Sequence, residues 1–350
     1  MEENLENTNE PFQNRVDLSH FNAELAKVRE QIARFIIGQK KAVELLQVAL
    51  IADGHVLIEG VPGIAKTQLA KLMARSLDLQ YSRIQFTPDL MPSDILGTSV
   101  YNQKTGEFEF KAGPVFTQLL LVDEINRSPA KTQAALFEVM EERQVSIDGK
   151  RYPMEEPYMV LATQNPVEQE GTYRLPEAQL DRFLFKVKME YPNDAEEFDI
   201  LKLHLGFKTG DDQQVEQVLS SADIIELRKV AEEIHVEEDM LKYIAAITNA
   251  TRNNGSLYLG ASPRASIALL KAARAFAALQ NRDFVSPEDI RFLDAPVLAH
   301  RVILSPEQEM EGISPEELIQ QMVRSIEVPG AWDSGNPYIY TLISTATLLA

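Results

Sequence analysis

The sequence predicts an α/β fold, a parallel sheet core followed by an all-helical domain, on three observations. The apolar run His55-Val56-Leu57-Ile58-Glu59 leads through a glycine-containing loop into a helix-forming stretch that begins at Lys66. Two further apolar runs, Phe116 to Val122 and Tyr158 to Thr163, each end in polar residues, as buried parallel strands do where they meet a ligand crevice. After the capping box Asn193-Asp194-Ala195-Glu196 the apolar period becomes helical and stays so.

Taken in order, residues 1–20 read as a disordered, acidic N-terminal tail, and Phe21 to Arg34 as a lead-in helix. The loop Gly60-Val61-Pro62-Gly63-Ile64-Ala65-Lys66-Thr67, with Gln68 next in the helix, has the order of a phosphate cradle. In such a loop backbone N–H groups converge on an anion and the helix N-terminus adds positive dipole; a lysine reaches the terminal phosphates and a hydroxyl binds magnesium. Lys66 and Thr67 supply those last two groups. Ala65 stands where the pattern G-x-x-x-x-G-K-[ST] has its second glycine. A residue entering a helix can take right-handed φ/ψ, so alanine is expected to be tolerated, with Gly60 and Gly63 supplying the loop's freedom. Read alone, the loop also suits an ordinary Gly-Pro turn.

The second apolar run ends in Asp123-Glu124. Carboxylates at the C-terminal edge of a buried strand point into the crevice, where Asp123 can hold Mg²⁺ through water and Glu124 can polarise an attacking water. A solvated strand end is the plainer alternative. The third run places Asn165, able to orient that water, at the same edge, although Asn-Pro by itself is turn chemistry. Between these runs, Ser128-Pro129 starts a helix by cap and proline, with Leu136, Val139, Met140 and Arg143 at helical spacing. Thr98 to Phe110 and Gln144 to Tyr152 read as hairpins that either project from the domain or extend its sheet. This α/β domain spans residues 21–192.

Residues 193–329 read as a linker and helical lid. Val236, Met240, Ile244 and Ile247 make one apolar stripe, and Ser286-Pro287 and Ser314-Pro315 start two more helices. Pro296 is expected to break or kink its helix and set Pro296 to Leu304 apart. Ser262-Pro263 puts Arg264 in a first turn, where the dipole disfavours a cation by roughly 0.3–1 kcal/mol. An anionic ligand and a surface salt bridge both answer that penalty. In residues 330–350 the uncharged, strand-prone Tyr338 to Ile343 has no assigned role.

Composition narrows the function. With 350 residues, 45% of them hydrophobic, and no uninterrupted apolar run of about 18 residues, no membrane insertion is expected. No secretory pattern opens the chain, and the absence of cysteine leaves no disulfide framework or thiolate metal site, in keeping with the cytoplasm. The net charge of −19 argues against nucleic acid as a partner. His55, His204, His235 and His300 are scattered without metal-ligand spacing, and no G-x-S-x-G offers a nucleophile.

Five segments, GVPGIAKT, LLLVDEINR, ATQNP, LPEAQLDRF and GASPRA, resemble the MoxR family of AAA+ ATPases, and the resemblance runs from about Phe21 to Pro329. It implies a P-loop NTPase core with hairpin insertions and a helical lid. Lys66 and Thr67 then resemble the Walker A pair, Asp123 and Glu124 the Walker B pair, and Asn165 sensor 1. Arg182 resembles the arginine finger that reaches a neighbour's γ-phosphate, Arg264 resembles sensor 2, and Ile37, Gly38 and Gln39 the segment lining the adenine pocket. The same resemblance implies ATP and Mg²⁺, assembly into a ring of six, chaperone-like remodelling or metal-cofactor insertion, and a partner with a von Willebrand factor A domain. A DNA motor, a chelatase subunit and a nucleotide-gated adaptor without turnover are the rival readings.

Overall fold

The computed structural model describes residues 18–61, 63–166, 172–206 and 215–328. The expected C-terminal tail, most of the N-terminal one and Pro62 lie outside these residues. The lead-in helix α1 spans Ser19–Ala33 and so begins within the stretch expected to be tail.

Strands β1 (His55–Glu59), β2 (Tyr81–Gln85), β3 (Leu119–Asp123), β4 (Met159–Gln164) and β5 (Phe183–Lys188) form a five-stranded sheet ordered β5-β1-β4-β3-β2. Every neighbouring pair is parallel. Side chains alternate across it, so Val56, Ile58, Leu119, Leu121 and Leu161 enter one apolar core, while Leu57, Leu120, Val122, Val160 and Ala162 enter a second. Because both faces are covered, β1, β3 and β4 read as unbroken apolar runs. β3 begins at Leu119 rather than Phe116, because the chain is still turning there: Phe116 N–H donates to Gly113 O at 3.2 Å and Thr117 N–H to Val115 O at 2.9 Å.

Helices α2 (Lys40–Ile51) and α3 (Lys66–Ser76) lie in the first core, and α4 (Ala130–Glu142) in the second. Ile125–Arg127 forms a 3₁₀ turn before α4, and Pro129, at φ −59° and ψ 152°, caps that helix from outside rather than opening its first turn. Arg143 ends α4 in the left-handed region at φ 53°, which removes it from the helical stripe. The two hairpins, Gly97–Asn102 with Glu107–Ala112 and Gln144–Ile147 with Lys150–Pro153, are separate antiparallel pairs and do not extend the sheet. Phe110 of one packs on Tyr152 of the other, with ring centroids 4.3 Å apart.

After β5 the described residues are mainly helical, with the longer helices α5 (Asp194–Gly206), α6 (Ser221–Glu232), α7 (Glu238–Arg252), α8 (Pro263–Leu279), α9 (Pro287–Leu298) and α10 (Pro315–Ser325). Two short strand pairs join them, Leu257–Leu259 antiparallel with Ile303–Leu304 and Leu219–Ser220 parallel with Leu77–Asp78. Pro296 lies inside α9 instead of breaking it; the helix stops at Leu298 and a 3₁₀ turn, Ala299–Arg301, follows. Arg301 donates to Val297 O and thereby satisfies one carbonyl of the disturbed helix end. Leu45 of α2, Leu269 of α8, Leu293 of α9 and Phe185 of β5 share the first core, so lid helices pack directly on the sheet layer. Among the described residues no helix is long and apolar enough to cross a membrane.

Candidate active site

The cradle leaves the C-terminal end of β1, an interior strand of the sheet between β5 and β4. Gly63 takes φ +87°, which favours glycine, and a Cβ on Gly60 would stand 2.2 Å from Ile64 Cδ1 and 3.0 Å from Met189 O, so a side chain there would have to push its neighbours aside. Ala65 departs from expectation: it sits at φ 67°, ψ 24°, the left-handed region, as the N-cap of α3. The turn from loop to helix demands that conformation, which costs a residue with a Cβ about 1–2 kcal/mol. Val61 and Ile64 fold inward against the first core. Lys66 Nζ curls back over the loop to donate to Gly60 O and, at 3.3 Å, to Gln164 O. Gln68 follows, partly exposed, in the first turn of α3.

The acids stand across the crevice from that turn. Asp123 is only 4% exposed, and its carboxylate accepts from Thr67 Oγ1 at 3.2 Å and from Thr163 Oγ1 at 3.2 Å. Its other oxygen pairs with Arg83 Nε at 2.7 Å. Glu124 is left-handed at φ 55°, ψ 51°, an uncommon conformation for a side-chain-bearing residue, and its own N–H donates to Thr163 Oγ1 at 3.0 Å. Gln85 Nε2 at 2.8 Å and Arg127 Nε at 3.0 Å hold its carboxylate. Asn165, also buried, follows the last residue of β4.

Arg83, Gln85, Thr163 and Arg127 were not singled out from sequence. Arg83 and Gln85 lie two apart on β2 and face the same way, but a strand with one polar face carries no unbroken apolar run to announce it. Thr163 was legible in principle: the register pairs Val122 with Ala162 and so brings Thr163 level with Asp123.

Ile37, Gly38 and Gln39 lie just before α2 and beside the chain that leaves β5. Gly38, at φ +81°, has the Glu196 carboxyl where its Cβ would be, and Gln39 Nε2 donates to Glu190 O at 3.1 Å. This segment therefore joins the cradle's edge of the sheet. The donor set suits a magnesium nucleotide: the Thr67 hydroxyl and the Asp123 carboxylate are adjacent hard oxygens, and an uncapped helix start with a lysine faces them.

The two arginines are elsewhere. Arg182 precedes Phe183, which pairs with His55 at the N-terminal edge of the sheet, whereas the cradle follows Glu59 at the opposite edge. At about 3.3 Å per residue, the strand between them spans roughly 15 Å. Arg182 Nε lies 3.3 Å from Glu141 Oε2, with its guanidinium 5.9 Å from the Phe137 ring centroid. Arg264 meets the same carboxylate, through Nη2 at 2.9 Å from Oε1 and Nη1 at 3.4 Å from Oε2. Ser262 Oγ donates to Asp181 Oδ2 at 3.0 Å, and buried Arg301 binds Asp181 Oδ1 at 2.7 Å and Phe183 O at 2.7 Å. The lid and the segment entering β5 are thus tied together.

A parallel sheet with a glycine-turned cradle after an interior strand, paired acids on the next-but-one strand and a helical lid defines a P-loop nucleotide-binding protein of the AAA+ type. Residues 55–185 match the ATPase family associated with various cellular activities (AAA), and residues 249–322 match the AAA lid domain. The chain is 44% identical over 308 residues to chaperone MoxR1 of Mycobacterium tuberculosis, covering 85% of this chain and 81% of that one. It is 32% identical over 323 residues to protein MoxR of Methylorubrum extorquens, covering 86% and 93%. A crystal structure from Cytophaga hutchinsonii, described as a candidate ATPase, superposes with a TM-score of 0.82 at 42% identity and covers 89% of this chain and 97% of its own. The chain belongs to the MoxR family of AAA+ ATPases.

Proposed function

We propose that this protein hydrolyses ATP at seams between copies of itself in a ring, a hexamer by family resemblance, and uses the cycle to remodel or mature a partner protein. The observation that carries the reading is the division of the site. Lys66, Thr67, Asp123, Glu124 and Asn165 gather at one sheet edge, and Arg182 and Arg264 at the other, so one copy's arginines serve another copy's cradle. Because both guanidiniums share Glu141, Arg264 acts in trans together with Arg182.

In this mechanism Ile37, Gly38 and Gln39 receive the base, the N–H groups of Gly63 to Thr67 surround the phosphates, and Lys66 leaves Gly60 O for the terminal phosphates. Thr67 and Asp123 would hold Mg²⁺, which supplies neutralising charge to the phosphate oxygens. Glu124 and Asn165 orient a water whose oxygen attacks the γ-phosphorus; the bond to the β–γ bridging oxygen breaks, and ADP and phosphate leave. Glu124, held by Gln85 and Arg127, accepts the hydrogen bond of that water. Arg182 from the neighbour meets the charge that develops, a contribution of about 10³–10⁵ in rate.

The relative named chaperone MoxR1 supports the remodelling output. We place the activity in the cytoplasm, with a von Willebrand factor A domain protein as partner. The test is Glu124→Gln: it should bind ATP as the wild type does yet release phosphate at least about a hundredfold more slowly. Undiminished release would remove Glu124 from the reaction.

A further inference from the structure

Resting on the reading of Arg182 as the finger, we propose that Glu141 is a positioning residue: its carboxylate gathers Arg182 and Arg264 into one paired donor presented to the terminal phosphate that the neighbouring copy binds.

Glu141 lies in the last turn of α4, which contains no basic residue. The helix dipole disfavours a carboxylate there, and the compensating charge comes from outside the helix, from two guanidiniums on different parts of the fold. Oε1 accepts from Arg264 Nη2 and Oε2 from Arg264 Nη1, whereas Arg182 Nε lies 3.3 Å from Oε2 as an ion pair without hydrogen-bond geometry. The two guanidiniums share this one carboxylate, while Glu138 and Glu142 line the same pocket. Arg182 meets Glu141 through Nε, and its two terminal nitrogens are not used in that contact.

The backbones carrying these arginines are fixed by other bonds. Ser262, two residues before Arg264, donates to Asp181, the residue before Arg182, and Arg301 anchors Asp181 from beneath. Glu141 is 35% exposed and takes no part in that anchoring. What it sets is side-chain direction: without its charge, two neighbouring guanidiniums repel and splay, and each must be gathered separately when the phosphate arrives. Glu138 and Glu142 line the same surface pocket as Arg182, yet the ion pairs of both arginines converge on Glu141.

The experiment measures ATP turnover of the full-length protein against ATP concentration. Glu141→Gln should lower kcat about tenfold while leaving KM for ATP within about twofold, since the arginines meet the developing charge and not the bound ground state. Glu141→Asp should recover most of the loss, Glu138→Gln should change kcat less than about twofold, and Glu141→Gln should cost nothing further in an Arg182→Ala background. Wild-type kcat in Glu141→Gln beside an inactive Arg182→Ala would overturn the proposal alone. A higher kcat would overturn it too, by making Glu141 a restraint, as would an equal loss in Glu138→Gln. Normal turnover in Arg182→Ala would instead remove the finger, and this proposal with it.

Discussion

The two edges of the sheet are built differently. At the C-terminal edge, functional side chains follow directly from strand ends: Glu59 leads into the cradle, Asp123 ends β3, and Asn165 follows β4. Local sequence sets these positions, and hydrogen bonds among neighbours hold them, as Thr67 and Thr163 hold Asp123. At the N-terminal edge, Arg182 and Arg264 come from places some eighty residues apart and meet through the lid, through Glu141, Asp181 and Arg301. One edge is assembled by short-range order and the other by tertiary packing. On the proposed reading a protomer would offer two half-sites that face apart, with the lid ordering the second.

Breaking the second edge should have the largest effect. Arg182→Ala is expected to keep nucleotide affinity within a few-fold and lose about 10³–10⁵ in turnover, read by ATP binding and phosphate release on the same preparation. Turnover within tenfold of wild type would mean that the two edges do not cooperate.

A pH test sharpens the comparison at the same edge, where His55 opens β1. Its Nδ1 accepts from Val160 N–H at 3.0 Å and its Nε2 donates to Met140 O at 3.3 Å. Burial, and secondarily the Arg143 guanidinium, pull its pKa from 6.5 down to about 3. The unfolded chain then binds the extra proton below pH 6.5 and the folded one does not, so stability is complete above that pH and is lost as pH falls. From pH 7 to 5 the loss due to this group is about 2 kcal/mol. Urea midpoints of wild type and His55→Gln across that range should diverge in slope accordingly; parallel curves would mean that the ring is protonated in the fold.

The smallest effect concerns the cradle. Ala65→Gly should relieve the left-handed strain and raise stability by up to about 1 kcal/mol, with turnover changed less than about threefold. A lower melting temperature would show that alanine stiffens the loop by more than its strain costs.

Legibility followed the same division. The cradle, the acid pair, Asn165 and the capping boxes at Asn193 and Ser314 are local patterns, and the structure has them where the pattern puts them. Three things escaped. The φ of Ala65 depends on how the loop crosses onto α3, which no residue type announces. β2 is half polar and shows no apolar run, so Arg83 and Gln85 went unseen. Glu141 is an ordinary glutamate in a helix of several, and only the packing of the lid gives it two arginines. The helix runs two residues past Pro296, to Leu298, where the Arg301 guanidinium covers Val297 O at its end.

The most direct measurement mixes two silent proteins. Lys66→Ala lacks a working cradle and Arg182→Ala lacks the finger, so each alone should turn over ATP at a small fraction of the wild-type rate. In rings assembled from an equal mixture, about a quarter of the seams combine an intact cradle from one copy with an intact arginine from the next. Activity should then rise well above either parent. A mixture, shown to co-assemble, that stays as inactive as its components would contradict catalysis at a shared seam.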